Sequence, residues 1–330
     1  MADVERGIDP ADEKKTAEAK KAEAAENTLA AVSKMYMQLA GNKLRSARSR
    51  QSILDRLLLP RLGSKPMTEI EREDVIRVLD RIEVENGPRM ADMTLAVLGR
   101  ILNWYEIRTS RFRSPLVRGM QRVKPSERAR TRMLSDEEIK RVWDACGDER
   151  LHIYGAAFRF LLLTGARRSE ATGMKRSEIK DGVWTLPKER SKNGQEIVRP
   201  LSRAALKIIA TVPIITGGEL IFTVSGASPV HLDSGRDNSK KRLDQISGVH
   251  GWVIHDLRRC ARSLMSRAGV QYDAAELCLG HRLPGGLIRR TYDTHNFVAE
   301  KRRAFELLAR EIDRILHPDE GKGKVVALRR

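Results

Sequence analysis

Apolar residues recur at helical spacing from Thr28 onward. Leu29, Val32, Tyr36, Met37 and Leu39 fall on one face, and Asn27 or Thr28 is placed to cap the start. A second helix is expected from about Ser46 to Leu59, turning Ile53, Leu57 and Leu58 inward and Arg45, Arg48, Arg50 and Arg56 outward, with Pro60 and Gly63 closing it. Two more follow, from about Thr68 to Val84 and from Met90 to Tyr105. These four short helices predict an all-helical domain over residues 27–107. Residues 1–26 mix alanine, lysine and glutamate without an apolar stripe, which predicts a flexible tether.

Residues 108–133 are dense in arginine, serine and proline without sustained periodicity, so they are expected to form an extended, basic linker. A second domain, 134–317, opens with a capping box at Ser135 and Glu138. Helices are expected to Cys146, from Ile153 to Leu163, Ser202 to Thr211, Asp256 to Ala268, Tyr272 to Leu279 and Val298 to Leu316. Between them, Val183–Pro187 and Ile197–Leu201 alternate as strands around a polar turn holding Lys192, Asn193 and Gly194. The fold class is mainly α with a small β-hairpin or sheet, in two domains, and residues 318–330 form a basic tail.

Composition narrows the function. The 330 residues carry a formal charge of +18, with 62 lysines and arginines against 44 acidic residues. Such an excess favours a polyanionic partner, nucleic acid ahead of an anionic membrane, because cations that neutralise phosphates release condensed counterions. No apolar run reaches bilayer-spanning length, and the opening residues lack the apolar core of a secretory signal, which predicts a cytoplasmic protein. Three dispersed cysteines in apolar helical settings suit reduced, buried thiols rather than a disulfide framework or zinc site.

Chemistry concentrates in the second domain. Thr164-Gly165-Ala166-Arg167-Arg168-Ser169-Glu170 puts a glycine bend after an apolar helix, then an arginine and a carboxylate three residues apart on one face. By itself this is equally an ordinary helix junction with an ion pair. His255-Asp256-Leu257-Arg258-Arg259 brings an imidazole and a guanidinium together at a helix start. Leu279-Gly280-His281 ends a helix, and Tyr292-Asp293-Thr294-His295 follows a stretch containing Pro284-Gly285-Gly286.

Together, T-G-x-R-x-x-E, H-x-x-R, L-G-H and a trailing tyrosine resemble the signature of tyrosine recombinases of the phage-integrase type, and the wording around Asp256 and Tyr292 resembles integrases of prophages and genomic islands. The likeness covers about Ser135 to Leu316, and the preceding domain by architecture only. It implies a core-site-binding domain and a catalytic domain clamping duplex DNA. It also implies that Arg167 and Arg258 bind the scissile phosphate, with His255, His281 and Lys192 completing the site, Glu170 supporting it and Tyr292 attacking. Tyr292 lies eleven residues after His281, a slightly longer gap than the motif suggests. The opening residues resemble a connector that follows an arm-binding domain, which implies that binding of distant arm sites is lost.

Phosphodiester chemistry needs these residue types. Arginine stays charged and offers a planar fork to phosphate oxygens, each charge-assisted hydrogen bond contributing about 1.5–3 kcal/mol. Tyrosine, with an ordinary pKa of about 10, needs a base such as His255 or a strong positive field. A proton for the leaving 5′-oxygen can come from Lys192, an effect of roughly 10²–10⁴ in rate; Lys175 and Lys188 compete for that role, as Arg259 does with Arg258. Tyr154 and Tyr272 sit in apolar helical patterns and are expected in the core.

The expected reaction is site-specific cleavage and rejoining through a 3′-phosphotyrosine, without metal, ATP or other cofactor. Two alternatives stay open: a type IB topoisomerase-like nicking-closing enzyme and a non-catalytic DNA-binding module. Expected partners are double-stranded DNA, further copies of the chain in a tetramer on DNA, and DNA-bending accessory proteins, with no membrane, at the bacterial nucleoid. Arg45, Arg48, Arg50 and Arg56 are candidate DNA contacts. The apolar stripe Phe305, Leu307, Leu308, Ile312 and Ile315 is expected to dock on a neighbouring protomer.

Overall fold

A computed structural model describes residues 27–124, 131–233, 238–281, 283 and 297–318. The expected tether 1–26, the Pro284-Gly285-Gly286 loop, Tyr292 and most of the basic tail lie outside these residues. The chain divides into two compact units, Met1–Arg130 and Thr131–Arg330. Among the described residues, no helix is long and apolar enough to cross a membrane.

In the first unit, α1 (Leu29–Leu39) starts where Thr28 accepts a hydrogen bond from the Ala31 amide at 3.3 Å. Its apolar face is buried as patterned, except for Leu39, which is exposed at the end of the helix. The next helix does not close at Pro60. α2 (Ala47–Ile53) passes through a π-type stretch (Leu54–Leu58) into α3 (Leu59–Leu62). Pro60 has no N–H to donate back along the helix, and the Arg61 guanidinium supplies hydrogen bonds instead, to the carbonyls of Arg56 and Leu57 at 3.3 and 3.1 Å. α4 (Arg72–Asn86) and α5 (Pro88–Glu106) complete the helical set, with Val75, Leu79, Ile82, Leu98, Ile101 and Leu102 in a core shared with α1 and α2.

The segment after α5 departs from the expected extended linker. Phe112 and Met120 are buried in the first unit's core and Leu116 packs against it. Asp92 accepts hydrogen bonds from the amides of Arg122 and Val123 at 2.6 and 3.2 Å. A few apolar anchors and one backbone-capping carboxylate therefore fasten an irregular segment that helical periodicity does not mark.

In the second unit, Ser135 and Glu138 form the expected capping box for α6 (Asp136–Ala145). α7 (His152–Thr164) is buried nearly all round and ends at Gly165 in a left-handed conformation. The short α8 (Arg168–Thr172) follows. The strands form a three-stranded antiparallel sheet, β1 (Ile179–Lys180), β2 (Val183–Leu186) and β3 (Ile197–Pro200), in the order β1-β2-β3. Leu186 pairs with Ile197 across the β2–β3 register, so residues 187–196 form the turn that carries Lys192. Its further described helices are α9 (Arg203–Ala210), α10 (Ser239–Ser247), α11 (Ile254–Arg267), α12 (Tyr272–Leu279) and α13 (Val298–Leu316). Neither β1 nor α10 has enough apolar periodicity to announce itself.

The stripe on α13 packs within its own chain. Phe305, Leu308, Ile312 and Ile315 join the core of the second unit, because α11, α12 and β3 offer them apolar cover. Docking of those side chains on a neighbour, as expected from the pattern, is set aside. Cys146, Cys260 and Cys278 are buried free thiols, and burial pushes Cys146 and Cys278 up to about 12.

Candidate active site

Four segments bring Arg167, Lys192, His255, Arg258 and His281 to one cleft. Gly165 turns the chain at φ +57°, and a Cβ there would stand 2.6 Å from Leu279 Cδ2, so α7 and the end of α12 approach closely only with glycine at this bend. Two residues later Arg167 opens α8. Its Nη1 donates to Glu170 Oε1 at 2.8 Å, the i, i+3 pairing that the sequence suggests. Glu170 is itself buried, and its other oxygen accepts from Arg199 Nη2 at 2.8 Å.

Arg199 is a supporting residue that the sequence does not single out. It lies on β3, fully buried, where it also donates to the Cys278 carbonyl and stacks on Trp184 at 4.9 Å. A charge at a strand position that alternation assigns to the core is the one signal that could have found it. Burial pushes the Glu170 carboxyl up, but Arg199 and Arg167 more than offset this, and it lies below the ordinary carboxylate value.

On α11, Arg258 donates from Nη1 to the Gly165 carbonyl at 2.7 Å and from Nη2 to the Leu279 carbonyl at 2.8 Å. Its Nη2 is also 2.7 Å from Nε2 of His281, whose Nδ1 lies 2.5 Å from Glu276 Oε2. Glu276, which the motifs do not mark, holds Arg262 with its second oxygen, from Nε at 2.7 Å. Burial, with the neighbouring charges of Arg167 and Arg199, pulls Arg258 down to about 9, so it stays cationic at neutral pH.

These side chains surround a cleft of about 530 Å³ lined by Arg167, Lys192, His255, Arg258, Arg259 and His281, with Arg262 alongside. Among the described residues no carboxylate lines it. Desolvation first, and then the charge of Arg258, hold His255 below its ordinary value of 6.5, which leaves the ring neutral at pH 7. Lys192 is exposed at the tip of the β2–β3 turn, and the next residue, Asn193, donates to the Gly280 carbonyl at 3.0 Å, tying that turn to the end of α12. Of its rivals, Lys175 pairs with Glu219 at 2.6 Å, and neither Lys175 nor Lys188 lines the cleft. Arg259 lines it too, while bonding the Arg132 carbonyl at 3.0 Å.

The chain matches the model of the phage integrase family over residues 132–295 and that of the phage integrase central domain over residues 14–117. It belongs to the phage integrase family of tyrosine recombinases. Among solved structures, this family member is similar to a lambda integrase fragment bound as a dimer to a core site, with a TM-score of 0.60 and 17% identity over 78% of this chain and 96% of that one. It is also similar to a fragment of the Tn1549 transposon integrase in complex with circular intermediate DNA, with a TM-score of 0.60 and 16% identity over 84% and 98% of the two chains. A lambda integrase tetramer on a Holliday junction matches at a TM-score of 0.60 and 18% identity, over 78% and 79%. At these identities the likeness speaks for the fold. No curated protein sequence matches.

Other expected residues divide. Tyr292 lies outside the described residues. Tyr154 is buried in the core, but Tyr272, expected there, is 62% exposed, because it opens α12 and lies against Arg262 rather than under the sheet. In the first unit Arg45, Arg48 and Arg56 are exposed. Arg50 is half-buried, with its Nε donating to Ser46 Oγ at 2.9 Å.

Proposed function

We propose that this integrase cleaves and rejoins double-stranded DNA at specific sites through a 3′-phosphotyrosine intermediate. The observation that carries the reading is the convergence of Arg167, Arg258, His255, His281 and Lys192 on one cationic cleft that no carboxylate lines among the described residues. A phosphodiester brings an anion, and its pentavalent transition state concentrates charge on the non-bridging oxygens where two arginines can hold it.

In this reading the Tyr292 oxygen attacks phosphorus while its proton passes to His255, neutral and hence able to accept it. The P–O5′ bond breaks, and Lys192 protonates the departing 5′-oxygen. A 5′-hydroxyl from another strand then attacks the phosphotyrosine, returning the protons by the same route. The phosphoester bond energy is retained, so no ATP is consumed. Glu170 orients Arg167. Arg45, Arg48, Arg50 and Arg56 would contact the phosphate backbone, and four copies would act on two duplexes, aided by DNA-bending proteins at the bacterial nucleoid.

Incubation with a DNA site carrying a nick near the cleavage point, followed by denaturing gel electrophoresis, tests this. Wild type should trap a covalent protein–DNA adduct, and Tyr292→Phe should bind the same DNA and form none. An adduct that survives Tyr292→Phe would remove that residue from the mechanism, and no adduct with wild type would remove the reaction.

A further inference from the structure

Strand β3 puts a charge into the core of the second unit. Arg199 is fully buried, pairs in register with Trp184 on β2 and stacks on that ring. One edge of its guanidinium reaches two other elements: Nε donates to the Cys278 carbonyl of α12 at 3.2 Å, and Nη2 donates to Glu170 Oε2 of α8 at 2.8 Å. Each acceptor adjoins a group that lines the cleft. Glu170 accepts from Arg167 twice, at Oε1 from Nη1 at 2.8 Å and at Oε2 from the backbone amide at 3.3 Å. Cys278 stands three residues before His281. The same end of α12 is seated on β3, since a Cβ at Gly280 would lie 2.5 Å from Ile197 Cδ1.

Stability alone does not account for this charge. Replacing a buried ion pair with apolar side chains of similar volume is often neutral or stabilising, and the alternation of β3 calls for an apolar residue here. Burial pulls Arg199 down from its ordinary value, with the attraction of Glu170 the largest effect opposing it.

We infer that Arg199 is a positioning residue for strand cleavage, a buried guanidinium on β3 that fixes both the Glu170 carboxylate orienting Arg167 and the last turn of α12 leading to His281. Being 0% exposed, it cannot touch DNA, so its effect passes through those two cleft residues. Without it, Glu170 keeps the donors of Arg167 but loses its tie to β3, and the Cys278 carbonyl loses its side-chain donor. The Arg167–Glu170 pair can then shift relative to the end of α12.

The consequence in catalysis rests on the recombinase reading, but the anchoring can be tested without DNA. Full-length wild type, Arg199→Met, Arg199→Lys, Glu170→Gln and both Arg199 variants combined with Glu170→Gln would be compared. Urea unfolding would set conditions under which each is folded. Single-turnover covalent cleavage of a nicked site and DNA affinity would then be measured, and DNA-free crystal structures determined for wild type and the Arg199 variants. Cleavage by Arg199→Met should fall by about tenfold or more, with affinity within about twofold of wild type. Arg199→Lys keeps a charge but not the edge that reaches both acceptors, and should lose about three- to fivefold. In the Glu170→Gln background the loss from either Arg199 variant should shrink by about half or more, because part of the effect runs through that carboxylate. The DNA-free Arg199→Met structure should show the Arg167–Glu170 pair displaced from the end of α12. Cleavage by Arg199→Met within about twofold of wild type, a loss that only follows DNA affinity, or equal losses in both backgrounds would overturn the inference. If Arg199→Met does not fold, Arg199→Lys decides, and a wild-type rate for it would overturn the two-acceptor role. A wild type that forms no adduct would remove the recombinase reading, while an unmoved Arg167–Glu170 pair in the DNA-free variants would refute the anchoring by itself.

Discussion

Arg45, Arg48 and Arg56 in the first unit stand in solvent, whereas Arg199 and Arg258 in the second are 0% and 5% exposed. The same side chain works differently in the two settings. An exposed guanidinium keeps its hydration, is screened by salt and can contribute affinity through counterion release without a fixed geometry. A buried one has lost water and must be compensated. Arg199 is compensated by Glu170 and the Cys278 carbonyl, and Arg258 by two carbonyls and the His281 ring. Those partners also orient it, and for Arg258, which lines the cleft, the proposed reaction would link the cost of burying the charge to preorganisation for a phosphate.

The largest expected effect tests preorganisation directly. Arg258→Lys keeps a charge but not the fork, and should slow covalent cleavage by about 10²–10³-fold with DNA binding largely retained. A rate near wild type in single-turnover cleavage would mean that net charge suffices and geometry does not matter. Next, Glu170→Ala leaves Arg199 buried without its carboxylate, and should cost about 3–5 kcal/mol in urea unfolding of the second unit. A loss under about 1 kcal/mol would show Arg199 rehydrated and the contrast between the units weaker than drawn.

The same pair sets a pH dependence. The folded Glu170 carboxyl lies below its ordinary value of 4.5, so its contribution to stability is intact above that pH and is lost as pH falls through the lower folded value. In catalysis, His255 is held below 6.5, so the base form persists at pH 7 and cleavage should decline only under more acidic conditions. An acid limb centred at pH 7 or above would exclude His255 as the base. The smallest effect belongs to the exposed arginines. Removing Arg48 should lower the slope of log affinity against log salt by about 0.9 if it meets one phosphate, without slowing cleavage of bound DNA. An unchanged slope would take Arg48 off the DNA.

Much of the helical framework was legible because burial imposes periodicity. The α12 and α13 limits match the expected ones, and the α6 capping box is written in Ser135 and Glu138. Irregular segments were not legible. Residues 108–124 are held by Phe112, Met120 and an Asp92 contact with amides some thirty residues away, which no local pattern reports. The π-type stretch before Pro60 likewise depends on a side chain, Arg61, replacing a backbone donor.

Residue types and their order along the chain marked the tyrosine recombinase family and its candidate site, because only certain side chains stay cationic, fork to two oxygens or shuttle a proton at neutral pH. Tertiary structure decided which cations face one another and which are buried. It brought Arg199 to Glu170 and His281 to Arg258, and it folded the α13 stripe into its own core. Those outcomes depend on the distance, desolvation and packing of residues remote in sequence, and these exist only once the chain has closed on itself.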